Sequence, residues 1–184
     1  MKILKVLIAA FLIIFIGITV CEAFSWFSST SASTSLPTVP VKFPFDVSKR
    51  DSKVSQEFRI GKVRYCCFGI QFNFFGQEDL FRVLALVGDG SREYPGINIP
   101  IHLKIIKLNT GNLPSKLIYE NTITTKHSYA GCPQKKKGDG CYSREIKNIY
   151  LESGIYRVEA STIEDKPEFS GTQSYLKIEY PYHN

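Results

Sequence analysis

The sequence predicts a mainly β protein: a two-layer antiparallel β-sandwich of about seven strands with one short helix near residues 77–87. Three observations carry that expectation. The chain holds 13 Phe and 10 Tyr but one Met and one Trp, and aromatic side chains suit pleated, half-buried surfaces. Short segments alternate apolar and polar residues at period two, with turn residues between them. Only one segment breaks that period in favour of a helix.

The strands follow in order. Val54–Ile60 is the first. Tyr65–Phe74 is the clearest, with Cys66, Phe68, Ile70, Phe72 and Phe74 on one face and Tyr65, Cys67, Gly69, Gln71 and Asn73 on the other. Ile97–Leu108 aligns Ile97, Ile99, Ile101, Leu103 and Ile105. Pro100 within it predicts an edge position or a bulge, because proline donates nothing to a ladder. Leu117–Thr124, Arg144–Leu151, Ile155–Ser161 and Tyr175–Tyr180 complete the set. Asn109-Thr110-Gly111-Asn112 and Glu152-Ser153-Gly154 supply turn chemistry. In Gln77–Val87, Leu80, Val83, Leu84 and Val87 recur at helical spacing. Glu78 and Asp79 occupy the first turn, where the helix dipole favours negative charge, and Gly88 is placed to end the helix. Each strand then buries one face against an opposing sheet, and the helix covers the sheet.

The N-terminus sets the expected compartment. Lys2 and Lys5 precede an unbroken apolar run, Val6 to Val20, and Cys21-Glu22-Ala23 follows. This is the layout of a secretory signal peptide over 1–23, and the run is shorter than the roughly 20 residues a membrane span requires. An uncleaved anchor and a lipidated Cys21 are the alternatives, and membrane attachment is expected only through one of them. Val20 stands where lipid modification favours a smaller residue. Residues 24–42 are rich in Ser, Thr and Pro and read as a flexible tether, leaving 43–184 as one folded domain. The predicted location is the periplasm.

Charge and cysteines narrow the function classes. The formal net charge is +6, and losing Lys2, Lys5 and Glu22 with the signal lowers it by one. Apart from Lys135-Lys136-Lys137 the basic residues are scattered, unlike a nucleic-acid-binding face. Cys66, Cys67, Cys132 and Cys141 survive signal removal, and an even count in an oxidising compartment predicts disulfides. Cys132 and Cys141 bracket a short polar loop and form the local pair. Cys66 and Cys67 point to opposite faces of one strand. Cys66 is expected to pack beside Phe68, while Cys67 is left as a further candidate for pairing with the 132–141 loop. No zinc spacing is present, and no metal or other cofactor is expected.

No catalytic constellation is legible. His102, His127 and His183 lie apart, and there is no nucleophile elbow, metalloprotease pair, P-loop or dinucleotide turn. Gly88-Asp89-Gly90-Ser91 follows a helix, whereas a phosphate cradle precedes one. Glu78/Asp79 have a helix-start role, and Glu164/Asp165 fall in an inter-strand loop. The candidate binding element is the loop 128–143, with Lys135, Lys136 and Lys137 between Tyr129 and Tyr142. Rigid loops with aromatic anchors suit protein recognition, with the lysines steering.

Several stretches, in their order and spacing, resemble a known bacterial family. They are Gly96-Ile97-Asn98-Ile99-Pro100-Ile101-His102-Leu103-Lys104-Ile105, Leu117-Ile118-Tyr119-Glu120, Ser143-Arg144-Glu145-Ile146, Gly154-Ile155-Tyr156-Arg157-Val158-Glu159-Ala160 and Lys166-Pro167-Glu168-Phe169-Ser170-Gly171-Thr172. Together with Tyr65–Phe74 and Arg82–Gly88 they look similar to domain-of-unknown-function family 5625, over about residues 45–182. The resemblance implies a bacterial exported protein, often a lipoprotein, and brings no catalytic residues. The sequence therefore predicts a non-catalytic envelope protein that binds another protein, in concrete form an immunity-type protein neutralising a toxin in the periplasm. A carbohydrate- or lipid-binding module using Tyr129, Tyr142, Tyr180 and Tyr182, and a hydrolase built on His102 or His127, stay open beside it.

Overall fold

Among the described residues, nine antiparallel strands pair into two sheets, ordered β1-β9-β3-β7-β6 and β2-β8-β4-β5. The strands are β1 Val41–Pro44, β2 Lys53–Ile60, β3 Arg64–Phe74, β4 Pro100–Leu108, β5 Lys116–Thr124, β6 Lys126–Ala130, β7 Gly140–Leu151, β8 Gly154–Thr162 and β9 Ser174–Glu179. The helix among the described residues, α1, spans Gly76–Val87, and Pro167–Phe169 forms a short 3-10 turn. The structure is a computed structural model and describes residues 35–89, 91, 93–109, 114–130 and 138–181, with 126–130 as backbone. The mainly β, two-layer architecture is the one the alternating pattern predicts.

The sheets face each other through the residues that the period-two reading puts inside. Phe68, Ile70 and Phe72 of β3 and Leu176 and Ile178 of β9 are fully buried from one sheet. Phe58, Val158, Leu103 and Ile105 meet them from the other. Phe58 stacks on Tyr156 at 5.8 Å and meets Phe68 edge-on at 6.3 Å, geometries that favour aromatic pairs. Phe169 of the 3-10 turn closes on Phe72 at 5.2 Å. The outer face of the four-stranded sheet is solvated and charged, with Arg157 donating to Glu57 at 2.7 Å.

Two strands escape a sequence reading. β1 lies among prolines and has four residues; β6 is short and polar. Part of the stretch expected as a tether over 24–42 pairs with the fold, and residues 24–34 lie outside the described residues. The folded unit begins at Leu36. The Arg59 N–H donates to the Pro37 carbonyl at 2.8 Å, Val39 donates back to Arg59, and Val39 is buried. Backbone pairing with β2 recruits this Pro-rich stretch despite its low hydrophobicity. Pro100 is the first residue of β4, an interior strand, so neither an edge nor a bulge explains it; a strand's first position needs no donor there.

α1 starts and stops through local chemistry. Asp79 accepts the Phe75 N–H at 2.9 Å and a bidentate pair from Arg82 at 2.9 and 2.7 Å. Arg82 also reaches Thr172. Gly88, at φ +77°, ends the helix and donates to the Leu84 carbonyl at 2.8 Å. Val83 and Val87 are fully buried in the core, while Phe81 points outward.

Candidate functional site

The candidate site forms where α1 meets the segment that leaves it. Gly88 and Gly96 cross backbone to backbone. A Cβ on Gly88 would lie 2.3 Å from the Tyr94 carbonyl oxygen, and one on Gly96 would lie 2.3 Å from the Val87 carbonyl carbon. Both residues have positive φ, which glycine adopts without strain. The Asp89 N–H donates to the Tyr94 carbonyl at 3.2 Å, and the Ile97 N–H to the Leu86 carbonyl at 2.8 Å. These bonds bring Asp89 and Tyr94 together beside the helix. Between loop and helix lies a groove of about 520 Å³, walled by Phe81, Leu84, Ala85, Tyr94 and Pro95. Among the described residues, Asp89 and Glu93 are its charged lining residues. Phe81 and Tyr94 are 60% and 61% exposed, and Phe75 at the helix start is 59% exposed. Exposed aromatics that share a groove, as Phe81 and Tyr94 do, mark an interaction surface more than scattered ones do.

A buried guanidinium holds the loop's exit on either side of Gly96. Arg144 is 1% exposed. It donates from Nη1 to the Ile97 carbonyl, and from Nη2 to the Thr125 carbonyl at 2.9 Å and the Pro95 carbonyl at 3.4 Å. Its three acceptors are all main-chain carbonyls. Burial lowers its pKa from the ordinary value. Arg144 faces inward because β7 carries an extra residue: Phe68 pairs with Lys147, but Gly69 pairs with Glu145 and Ile70 with Arg144. A Cβ on Gly69 would lie 2.8 Å from the Arg144 carbonyl, so glycine admits this close approach. Arg144 Nε and Thr125 Oγ1 have no hydrogen-bond partner among the described residues.

At the groove's mouth, Ser91 donates its N–H to Asp89 Oδ1 at 2.8 Å, and its hydroxyl accepts the Tyr94 N–H at 3.1 Å. The hydrogen bonds from Ser91 hold the Asp89 carboxyl below the usual carboxylate range.

The residues singled out from sequence distribute unevenly. Lys135, Lys136, Lys137 and Cys132 lie outside the described residues, as do Tyr182 and His183. Tyr129 lies in β6, where its backbone pairs with Ser143. Tyr142 sits in β7 with its ring 5.5 Å from Phe74, half-buried against the core. The loop's returning end reaches the candidate site: Gly138 approaches Gly76, and the Gly76 N–H donates to Asp139 Oδ1 at 3.2 Å. The predicted binding loop therefore meets the start of the helix that walls the groove. Cys141 is buried at the head of β7. Cys66 and Cys67 are both thiols, on opposite faces of β3. Cys66 lies in the core, and burial pushes its thiol up to about 11.

His102 does find a carboxylate and a hydroxyl. Its Nε2 lies 3.3 Å from Glu120 Oε1 and its Nδ1 3.4 Å from Thr122 Oγ1, while Lys104 Nζ lies 3.7 Å from the same Glu120 oxygen. These are cross-strand neighbours on the open outer face of β4 and β5. The described grooves lie elsewhere, one at α1 and one between Arg59, Lys107 and Gly154. Glu164 pairs with Lys166 at 2.8 Å, and Asp165 accepts the Arg50 N–H at 2.9 Å. Among the described residues no cluster of His, Cys, Asp and Glu is arranged to hold a metal ion, and no helix is long and apolar enough to cross a membrane. Tyr180 is half-buried with Arg64 over its ring at 5.0 Å. The exposed tyrosine pair is Tyr65 and Tyr150, 5.1 Å apart, which sequence reading missed because the pairing depends on the β3–β7 register.

These features define a two-sheet antiparallel β-sandwich with an apolar helix–loop groove. The chain belongs to the domain-of-unknown-function family DUF5625, which it matches over residues 42–180. It is similar in fold to the crystal structure of GEBA250068378 from Sulfurospirillum deleyianum, with a TM-score of 0.64 and 24% identity. That likeness covers 78% of this chain and 98% of the other. No curated protein matches the chain.

Proposed function

We propose that this is a non-catalytic, exported envelope protein that binds another protein, in concrete form an immunity-type protein that neutralises a toxin in the periplasm. The observation that carries the reading is the pair of exposed aromatics, Phe81 and Tyr94, that wall a preformed groove at α1. Aromatic side chains dominate binding hot spots, and a groove fixed before binding lowers the ordering cost. The signal-like N-terminus supports export, with a retained or lipidated N-terminus as the membrane-attached alternative. The Cys132–Cys141 disulfide belongs to the same proposal, bracing the lysine loop whose returning end meets α1. The carbohydrate- or lipid-binding reading draws on the Tyr65–Tyr150 pair, which presents two exposed rings on β3 and β7.

The test is crosslinked capture from native envelope, using the wild-type protein and a Phe81→Asp variant. A partner recovered by the wild type, lost by the variant and bound again when both purified proteins are mixed supports the reading. Equal recovery by the variant, or no specific partner, refutes it.

A further inference from the structure

The geometry points to the groove between Arg59, Lys107 and Gly154 as a site for a carboxylate carried on a short apolar stem. This groove is separate from the one at α1 and owes nothing to the protein-binding reading.

Strand register builds the groove. Arg59 of β2 and Leu108 of β4 both lie opposite Ile155 of β8, and directly opposite residues share a face of the sheet. Phe58 is buried in the core, so alternation turns its neighbour Arg59 to the outer face. Leu108 and Ile155, both half-buried, give an apolar floor beside the guanidinium. Lys107 and the Ser153–Gly154 turn close the far side, and the volume of about 430 Å³ suits a small ligand. A Cβ on Gly154 would lie 3.2 Å from Lys107 Cε, so glycine leaves the lysine stem room at the turn.

Arg59 is the arginine that the fold leaves unspent. Among the described residues, Arg50 meets Asp51, Arg82 meets Asp79 and Arg157 meets Glu57. Arg144 serves main-chain carbonyls, and Arg64 lies over the Tyr180 ring. The Arg59 side chain is exposed and has no hydrogen bond or ion pair among these residues. Its main chain is held in place by Pro37 and Val39. A guanidinium fork offers two parallel N–H donors, the match for a planar carboxylate. Lys107 already holds a carboxylate: its ammonium donates to Glu152 at 2.6 Å, and the Glu152 side chain is 71% exposed. That leaves two of the three ammonium donors for a second acceptor. Lys116 adds a further cation opposite Lys107 on β5. Of the chain's 17 Asp and Glu, Glu22 alone lies outside the described residues, and residues 110–113, which follow β4, carry no charge. Glu152 is therefore the acidic side chain that competes for Lys107. A cationic ligand meets the wrong charge here, and a phosphate finds an apolar floor where its remaining oxygens need donors.

The test titrates the full exported chain, isotopically labelled, with pentanoate, acetate, inorganic phosphate and pentylammonium at matched ionic strength. Pentanoate is expected to shift the backbone resonances of Gly61, Ser153, Gly154 and Ile155. Acetate should bind about tenfold more weakly, the scale of half-burying three methylene groups. Phosphate should also bind more weakly than pentanoate, and pentylammonium should leave these resonances in place. Arg59→Gln should weaken pentanoate about fivefold, the scale of one exposed charge pair. Glu152→Gln should strengthen it about twofold, because the competing carboxylate is gone. Both substitutions fall on exposed side chains, and the main-chain bonds of residue 59 stay in place. A merely structural role for the two residues would not move affinity in opposite directions. Acetate or phosphate binding as tightly as pentanoate, shifts of the same resonances by pentylammonium, or pentanoate shifts confined to another surface overturns the inference. An Arg59→Gln variant equal to wild type, or a Glu152→Gln variant that binds no tighter, overturns it as well.

Discussion

Replacing Arg144 with Met tests whether a single buried cation holds the two sheets and the groove in register. The side chain is 1% exposed and spends its donors on the carbonyls of Ile97, Thr125 and, more weakly, Pro95. Met has a similar length and no donor. Two strong bonds from a charged donor are lost at about 1.5–3 kcal/mol each. Removing a charge that burial already disfavours returns part of that sum, since buried ions cost several kcal/mol to desolvate. The expected net loss is about 3 kcal/mol, a fall in Tm of roughly 6–12 °C for a domain of this size. Arg144→Lys keeps the charge but not the fork, so it cannot span carbonyls from two segments, and it should recover less than half of the loss. Urea unfolding gives the stability, and amide exchange gives the location. The Ile97 amide, bonded to Leu86, should exchange faster in both variants at denaturant levels where the Phe58 amide in β2 stays protected. A loss below about 1 kcal/mol for the Met variant with an unchanged m-value, or a Lys variant equal to wild type, would refute the reasoning.

Other perturbations test other parts of the molecule. Gly88→Ala forces a Cβ to 2.3 Å from the Tyr94 carbonyl at φ +77°, and should cost about 2–4 kcal/mol by urea unfolding; an unchanged midpoint contradicts the crossing. Cys66 keeps its proton in the folded chain up to about 11, while the unfolded thiol loses it near 9.0, so the unfolded state binds fewer protons between these values. Stability from this group should therefore be intact below pH 9 and fall as pH rises from 9 to 11, by at most about 1.4 kcal/mol per pH unit. A Cys66→Ala variant should lack that slope, whatever its overall stability. Phe81→Ser removes a ring that is 60% exposed, and should change stability by no more than about 0.5 kcal/mol. A larger loss means that the ring serves the fold and not a surface.

The sandwich was legible in the sequence because period two survives wherever one face is buried. Cys66, Phe68, Ile70, Phe72 and Phe74 announce β3, and the i, i+3, i+4 spacing of Leu80, Val83, Leu84 and Val87 announces α1. The strands that stayed hidden have little to alternate. Val41–Pro44 gains its place from pairing with β9, and Lys126–Ala130 from pairing with β7. The groove was hidden for a different reason. Gly88 reads as a helix stop, but nothing local shows that it crosses Gly96, eight residues further on. Arg144 reads as an ordinary strand residue, because the bulge that turns it inward is a property of the β3–β7 pairing. The lysine loop was chosen for its composition; its link to the helix runs through Asp139, which carried no signal of its own.

The Gly88–Gly96 crossing also bears on how such a chain can diversify. The loop is clasped at its base by main-chain atoms, through Asp89 to Tyr94 and Ile97 to Leu86, and its inner end is held by carbonyls that any residue supplies. Asp89 and Ser91 add side-chain hydrogen bonds to that clasp. Glu93 and Tyr94 turn their side chains to the groove, so new residues at these two positions would present a new lining to a partner while the sandwich beneath kept its register.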